Sequence, residues 1–185
     1  MRSYQNFWLI LIFIGVIGNP VFAQDGGNSA RLVGSIRHVS DGGGFTILLP
    51  IDPTAQRRIM PSEGNKGGMQ FFWRTLDGEF FVSFYDNSLR PLDSKRELEA
   101  MRDNFLSGIV KTGGKLLEKK DIALGKISGL EITAQLQSTE IVIIRYYAVG
   151  RRVFILSTRL NSKETGEKQL KTLDSFRLLE EKVKS

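Results

Sequence analysis

The stretch Glu140–Ser157, reading E-I-V-I-I-R-Y-Y-A-V-G-R-R-V-F-I-L-S, constrains the fold of this chain more than any other. Two runs of β-branched and aromatic residues flank a single Val149-Gly150-Arg151 break. Such residues pack well on a pleated surface, and arms apolar on nearly every position belong in a sheet covered on both sides. The segment predicts a β-hairpin turned at Gly150.

A second hairpin is predicted upstream. Met69–Thr75 and Glu79–Tyr85 are aromatic-rich runs joined through Asp77-Gly78, a strong short-range turn signal. Phe80, Val82 and Phe84 alternate onto one face, and Phe81, Ser83 and Tyr85 onto the other. Aromatics on both faces imply a sheet covered on both sides, or one whose second apolar face meets a partner. Arg31–Val39 has weak strand character, Ser40–Gly44 reads as a loop, and Phe45–Pro50 as a short strand closed by proline. Ile51–Gly68 lacks sustained periodicity and reads as a long loop with room for a short edge strand. Lys115–Asp121 and Gly125–Gln137 read as further strands.

Two helices complete the pattern. After Pro91, Ser94-x-x-Glu97 has the form of a capping box. Leu98, Met101, Phe105 and Ile109 follow at helical spacing, with Leu106 and Val110 widening the stripe and Gly113-Gly114 ending it. Asn161-x-x-Glu164 predicts a second helix start, with Leu170, Leu173 and Phe176 as a narrow stripe despite Gly166.

The first residues do not fit a packed domain. Arg2, the apolar run Phe7–Ile17, the Gly18-Asn19-Pro20 break and Val21-Phe22-Ala23 form the pattern of a secretory signal peptide, cut after Ala23. The apolar run is shorter than the roughly 20 residues a spanning helix needs. The expected organisation is a signal peptide over 1–23, a flexible leader over 24–30, one domain over 31–179 and a charged tail over 180–185. An exported, periplasmic or secreted protein that is not integral to the membrane follows. The chain has no cysteine, so neither a disulfide framework nor a cysteine-linked lipid anchor holds it. Its formal charge is +6 (26 Lys+Arg minus 20 Asp+Glu). That surplus suits a solvated surface or contact with an anionic one. No nucleic-acid-binding motif accompanies it.

Catalytic signals are sparse. His38 is the only histidine, so a His-based triad would have to use it, and a nitrogen/sulfur metal site lacks ligands. Lys111-Thr112-Gly113 echoes the Lys-Thr-Gly box of penicillin-binding proteins, but no serine has lysine three residues later. The pairs Asp77/Glu79 and Glu97/Glu99 sit at a turn and a helix start, where carboxylates serve structure. Asp41 in its glycine loop lacks the ligand ladder of a calcium site. No catalytic residue, metal or cofactor is implied. The candidates for binding are basic: Arg145, Arg151 and Arg152 on the main hairpin, and Lys119 and Lys120 within a series that includes Lys111, Lys115 and Lys126.

Taken in order, the signal sequence, Gly44-Phe45-Thr46-Ile47-Leu48-Leu49-Pro50, the aromatic hairpin, the amphipathic helix and Gly129-Leu130-Glu131 resemble the PsbP/Mog-like superfamily. So do Arg145-Tyr146-Tyr147-x-x-Gly150-Arg151-Arg152-Val153-Phe154-Ile155-Leu156 and Leu173-Asp174-Ser175-Phe176-Arg177-Leu178. The resemblance is particularly to small exported PsbP-like and DcrB-like bacterial proteins. It implies an α+β fold, an antiparallel sheet flanked by helices as an α/β/α sandwich. It also implies an accessory or binding role without catalytic residues. The expected function is a non-enzymatic extracytoplasmic protein that binds a protein or envelope component. The alternatives are a carboxylate-based hydrolase or ligand-binding enzyme, and peripheral membrane-surface binding through basic residues.

Overall fold

The computed structural model describes residues 35–50, 54–60, 68–75, 78–86, 93–137, 140–160 and 166–179. The expected signal peptide, leader and tail, the Leu76-Asp77 turn and the Asn161/Glu164 helix start lie outside the described residues.

The predicted central hairpin is present as β8 (Ile141–Val149) and β9 (Arg152–Leu160). Gly150 turns it with φ of +60°, a conformation that costs a side chain with a Cβ about 1–2 kcal/mol. β8 and β9 lie inside a seven-stranded antiparallel sheet of order β3-β4-β5-β9-β8-β7-β6. Its other strands are β3 (Thr54–Met60), β4 (Gly68–Thr75), β5 (Gly78–Asp86), β6 (Lys115–Leu124) and β7 (Ile127–Gln135). The segment read as a long loop thus contains an edge strand of seven residues, β3, paired with β4 from Thr54↔Arg74 to Met60↔Gly68.

Alternation along β8 sends Ile143, Arg145 and Tyr147 to one face and Val142, Ile144, Tyr146 and Ala148 to the other. On the second face lies α1 (Ser94–Lys111), whose Leu98, Met101, Phe105 and Ile109 pack with Leu130, Ile132, Ala134 and Ile144. Its N-cap is Asp93, one residue before the predicted one. The Asp93 carboxylate accepts from the Arg96 N–H at 3.3 Å, and Ser94 is the first helical residue. Val110 does not widen the buried stripe. It is 70 % exposed.

The first face carries a three-stranded sheet of order β1-β2-β10, from β1 (Ser35–Ser40), β2 (Phe45–Pro50) and β10 (Arg177–Leu178), together with α2 (Gly166–Asp174). Phe45, Ile47 and Leu49 of β2 meet Trp73, Phe80, Val82 and Phe154 in the core. Phe176, just beyond α2, is wedged between Phe45, Phe154 and Tyr147, with ring centroids 5.4, 5.5 and 6.0 Å away. Ser175 closes the seam: its hydroxyl accepts from the Leu48 N–H at 2.8 Å and donates to the Thr172 carbonyl at 2.6 Å. Both faces of the large sheet are therefore covered, one by α1 and the other by α2 with a small sheet.

Candidate functional site

The basic residues singled out in the sequence do not gather on one surface. Two belong to an ion network on the α2 face. Cross-strand register sets Glu131 of β7 opposite Arg145 of β8, and Lys120 of β6 opposite Glu131. Arg145 Nε contacts Glu131 Oε2 at 2.5 Å, and Lys120 Nζ contacts Glu131 Oε1 at 2.7 Å. Arg145 Nη2 reaches Asp174 Oδ1, at the end of α2, at 2.7 Å. Glu131 is 2 % exposed and Arg145 8 %. Burial works against the Arg145 charge, yet its hydrogen bonds to Glu131 and Asp174 outweigh that and raise its pKa above the ordinary value. The hydrogen bond to Glu131 likewise raises that of Lys120. Charges this enclosed bind the sheet to α2.

Arg152 has a comparable internal task. It grips Asp86 with two bonds, Nε to Oδ1 at 2.6 Å and Nη2 to Oδ2 at 2.7 Å. Its Nη1 donates to the carbonyls of Gly42 at 3.1 Å and Gly43 at 2.8 Å, and its guanidinium lies 4.5 Å from the Phe84 ring centroid. It thereby ties the β1–β2 turn to the large sheet. Arg151, at the hairpin turn, is exposed. Lys119 is exposed too, but faces the opposite way from Lys120: its partner in the ladder is Ile132, on the α1 side.

His38 is half-buried where the two sheets meet. Its ring lies 5.1 Å from Trp73, 5.3 Å from Phe71 and 6.1 Å from Phe45. Its buried Nε2 has no hydrogen-bond partner, and burial lowers its pKa from the ordinary value of 6.5. These aromatic contacts build the ring into packing. Of the carboxylate pairs, Glu97 accepts from the Tyr85 hydroxyl at 3.2 Å and Glu99 is exposed, while Asp77 lies outside the described residues. Burial first, and Glu97 second, push the Tyr85 phenol far above its ordinary pKa. Among the described residues no three His, Cys, Asp or Glu side chains form a metal-holding group.

Among the described residues Val39, Leu48, Val110, Leu116 and Leu117 are large hydrophobics left exposed, and the last three flank one turn. Where α1 passes through Thr112–Gly114 into β6, Val110 is 70 % and Leu116 43 % exposed, and Lys111 and Lys115 flank them. The turn is held tightly by the Gly114 N–H on the Ile109 carbonyl at 2.9 Å and by the Thr112 hydroxyl on the same carbonyl at 3.0 Å. An isolated exposed aliphatic residue needs no explanation, but exposed Val110, Leu116 and Leu117 on either side of one short turn, with Lys111 and Lys115 beside them, offer apolar contact with a basic rim. Sequence reading missed this corner because it assigned Val110 to the core stripe and treated the lysines as charges alone.

Together these elements define a class: an antiparallel α+β domain whose large sheet lies between a helix and a second layer of helix and small sheet. Its fold matches that of the cyanobacterial PsbP protein CyanoP from Synechocystis sp. PCC 6803, with a TM-score of 0.57 and 11% sequence identity over 86% of this chain and 99% of that one. The chain has a PsbP-like fold. The Ran-binding protein Mog1p of Saccharomyces cerevisiae also aligns, at a TM-score of 0.46 and 10% identity over 80% of this chain and 97% of that one. No family profile matches the sequence, and no curated protein matches it. Among the described residues no helix is long and apolar enough to cross a membrane.

Proposed function

We propose that this chain is an exported, non-enzymatic accessory protein that binds a protein or an envelope component through the corner formed by Val110, Lys111, Lys115 and Leu116. The observation that carries this reading is the exposure of aliphatic side chains beside lysines at one tightly held turn. Val110 and Leu116 lie exposed on either side of the Thr112–Gly114 turn with Lys111 and Lys115 beside them, while Arg145 and Arg152 tie parts of the fold together. Export is supported by Arg2, the apolar run Phe7–Ile17 and the Val21-Phe22-Ala23 cleavage pattern. The mature protein begins at Gln24.

A photoreactive amino acid placed at position 110 tests the binding role in the native envelope, with position 151 as an exposed control. The expected result is one discrete adduct from position 110, identified by mass spectrometry and abolished by Leu116→Asp. Equal labelling from both positions would refute the assignment. Fractionation with N-terminal sequencing tests export, and a cytoplasmic product still carrying Met1–Ala23 would refute it.

A further inference from the structure

We infer that this protein pairs with a second copy of itself along β6, antiparallel, about a two-fold axis at Lys120. β6 is the outermost strand of the seven-stranded sheet, it is ten residues long, and every residue from Lys115 to Asp121 is exposed. Ladder partners Leu124 and Ile127 close the two-residue Gly125–Lys126 turn, and so form a hydrogen-bonded pair. Alternation then turns the N–H and C=O groups of Lys119, Asp121 and Ala123 away from β7, towards whatever lies beside the edge. The register runs unbroken from Glu118 to Leu124, and the one irregularity falls between Leu116 and Glu118.

The side chains on this edge are arranged to match their own copy. With Lys120 on the axis, Lys119 of each copy stands opposite Asp121 of the other, and Leu117 opposite Ala123. The Lys119/Asp121 pairs are the residues whose backbone groups point outward, so each pair joins two backbone hydrogen bonds to an ion pair. Lysine on an edge ordinarily deters pairing. Here the axial Lys120 is already held by Glu131 of its own chain at 2.7 Å, and Lys119 faces a carboxylate. Both copies place α1 on the same side of the joined sheet, because a two-fold axis perpendicular to a sheet preserves its faces. The charge-exchange readout at Lys119 and Asp121 is separate from the crosslink at position 110, so either reading can fail without the other.

Charge exchange tests it. In sedimentation equilibrium, the full protein as purified from the cell is expected to show a concentration-dependent monomer–dimer equilibrium. Lys119→Asp sets Asp against Asp121 of the other copy, and Asp121→Lys sets Lys against Lys119; each is expected to weaken dimerisation about tenfold or more. An equimolar mixture of the two variants restores both opposite-charge pairs, as does the double exchange in one chain, and both are expected to dimerise like the parent. Arg151→Glu, at the remote hairpin turn, is expected to change nothing. Thermal melts of the exposed-site variants separate loss of pairing from loss of fold. A monomeric parent up to millimolar concentration, or single variants that stay monomeric on mixing, would overturn the inference.

Discussion

Replacing Arg145 by leucine removes the centre of the ion network and leaves Glu131, 2 % exposed, without the bond at 2.5 Å that neutralises it. Breaking one partner out of a buried pair typically costs about 3–5 kcal/mol, because the remaining charge stays desolvated. Lys120 still touches the other Glu131 oxygen at 2.7 Å, so the lower end, about 3 kcal/mol, is expected. Asp174 is 61 % exposed and its lost contact adds less than about 1 kcal/mol. For a domain of this size, that total corresponds to a fall in Tm of roughly 6–16 °C. Glu131→Leu combined with Arg145→Leu removes the buried charge as well as its partner. Apolar replacement of a whole buried pair is often neutral or better. Lys120, with a half-exposed side chain, can turn its ammonium to water. The double variant is therefore expected to recover about 2 kcal/mol over the single one, read from urea midpoints and thermal melts. An Arg145→Leu protein within about 1 kcal/mol of the parent would refute the reasoning. So would a double variant no more stable than the single one.

Three further outcomes follow from the same geometry. Gly129→Ala places a Cβ 2.6 Å from ring atoms of Tyr147, which is stacked on Phe176, and 2.8 Å from the Tyr146 carbonyl; a loss of about 2 kcal/mol in chemical denaturation is expected. His38 is depressed by burial, so its contribution to stability is complete above pH 6.5 and is lost as pH falls through the folded value; His38→Phe should flatten that acid limb when urea midpoints are compared from about pH 7 to about pH 5. Arg152→Lys keeps the charge but loses the fork on Asp86 and the bonds to Gly42 and Gly43; it should cost about 1 kcal/mol and speed amide exchange in the Ser40–Phe45 turn.

What could be read from the sequence was what depends on local pattern. β8 and β9, the paired strands β4 and β5 and the Leu98, Met101, Phe105 and Ile109 stripe each carry their periodicity within a few residues. β3 does not. Thr54–Met60 alternates poorly, and its strand state comes from pairing along β4. The cap moved from Ser94 to Asp93 because both residues suit an N-cap, and neighbouring assignments differ by only one residue. The internal fate of the basic residues was out of reach for a different reason. Arg152 finds Asp86 66 positions away and Arg145 finds Glu131 14 positions away, contacts that exist only once strand order and register are set. Basic residues that looked like a surface in the sequence thus became clamps in the fold.

That conversion bears on the hairpin itself. β8, I-V-I-I-R-Y-Y-A-V, is apolar towards both faces, so its pattern alone opposes a one-residue slip only weakly. Arg145 is the only charged residue within β8, and Glu131 the only one within β7. In the observed register they meet, with Lys120 and Asp174 completing the set on the α2 side. A slip by one residue would send one of the pair to the α1 face, among Leu130, Ile132 and Ile144, and leave each charge buried without its partner. The penalty for that arrangement is several kcal/mol per ion by order of magnitude, far more than the apolar pattern supplies. The network therefore acts chiefly against wrong registers, and only modestly in favour of the right one. On this reasoning the Glu131→Leu/Arg145→Leu chain regains stability but loses the feature that tells the two faces of β8 apart.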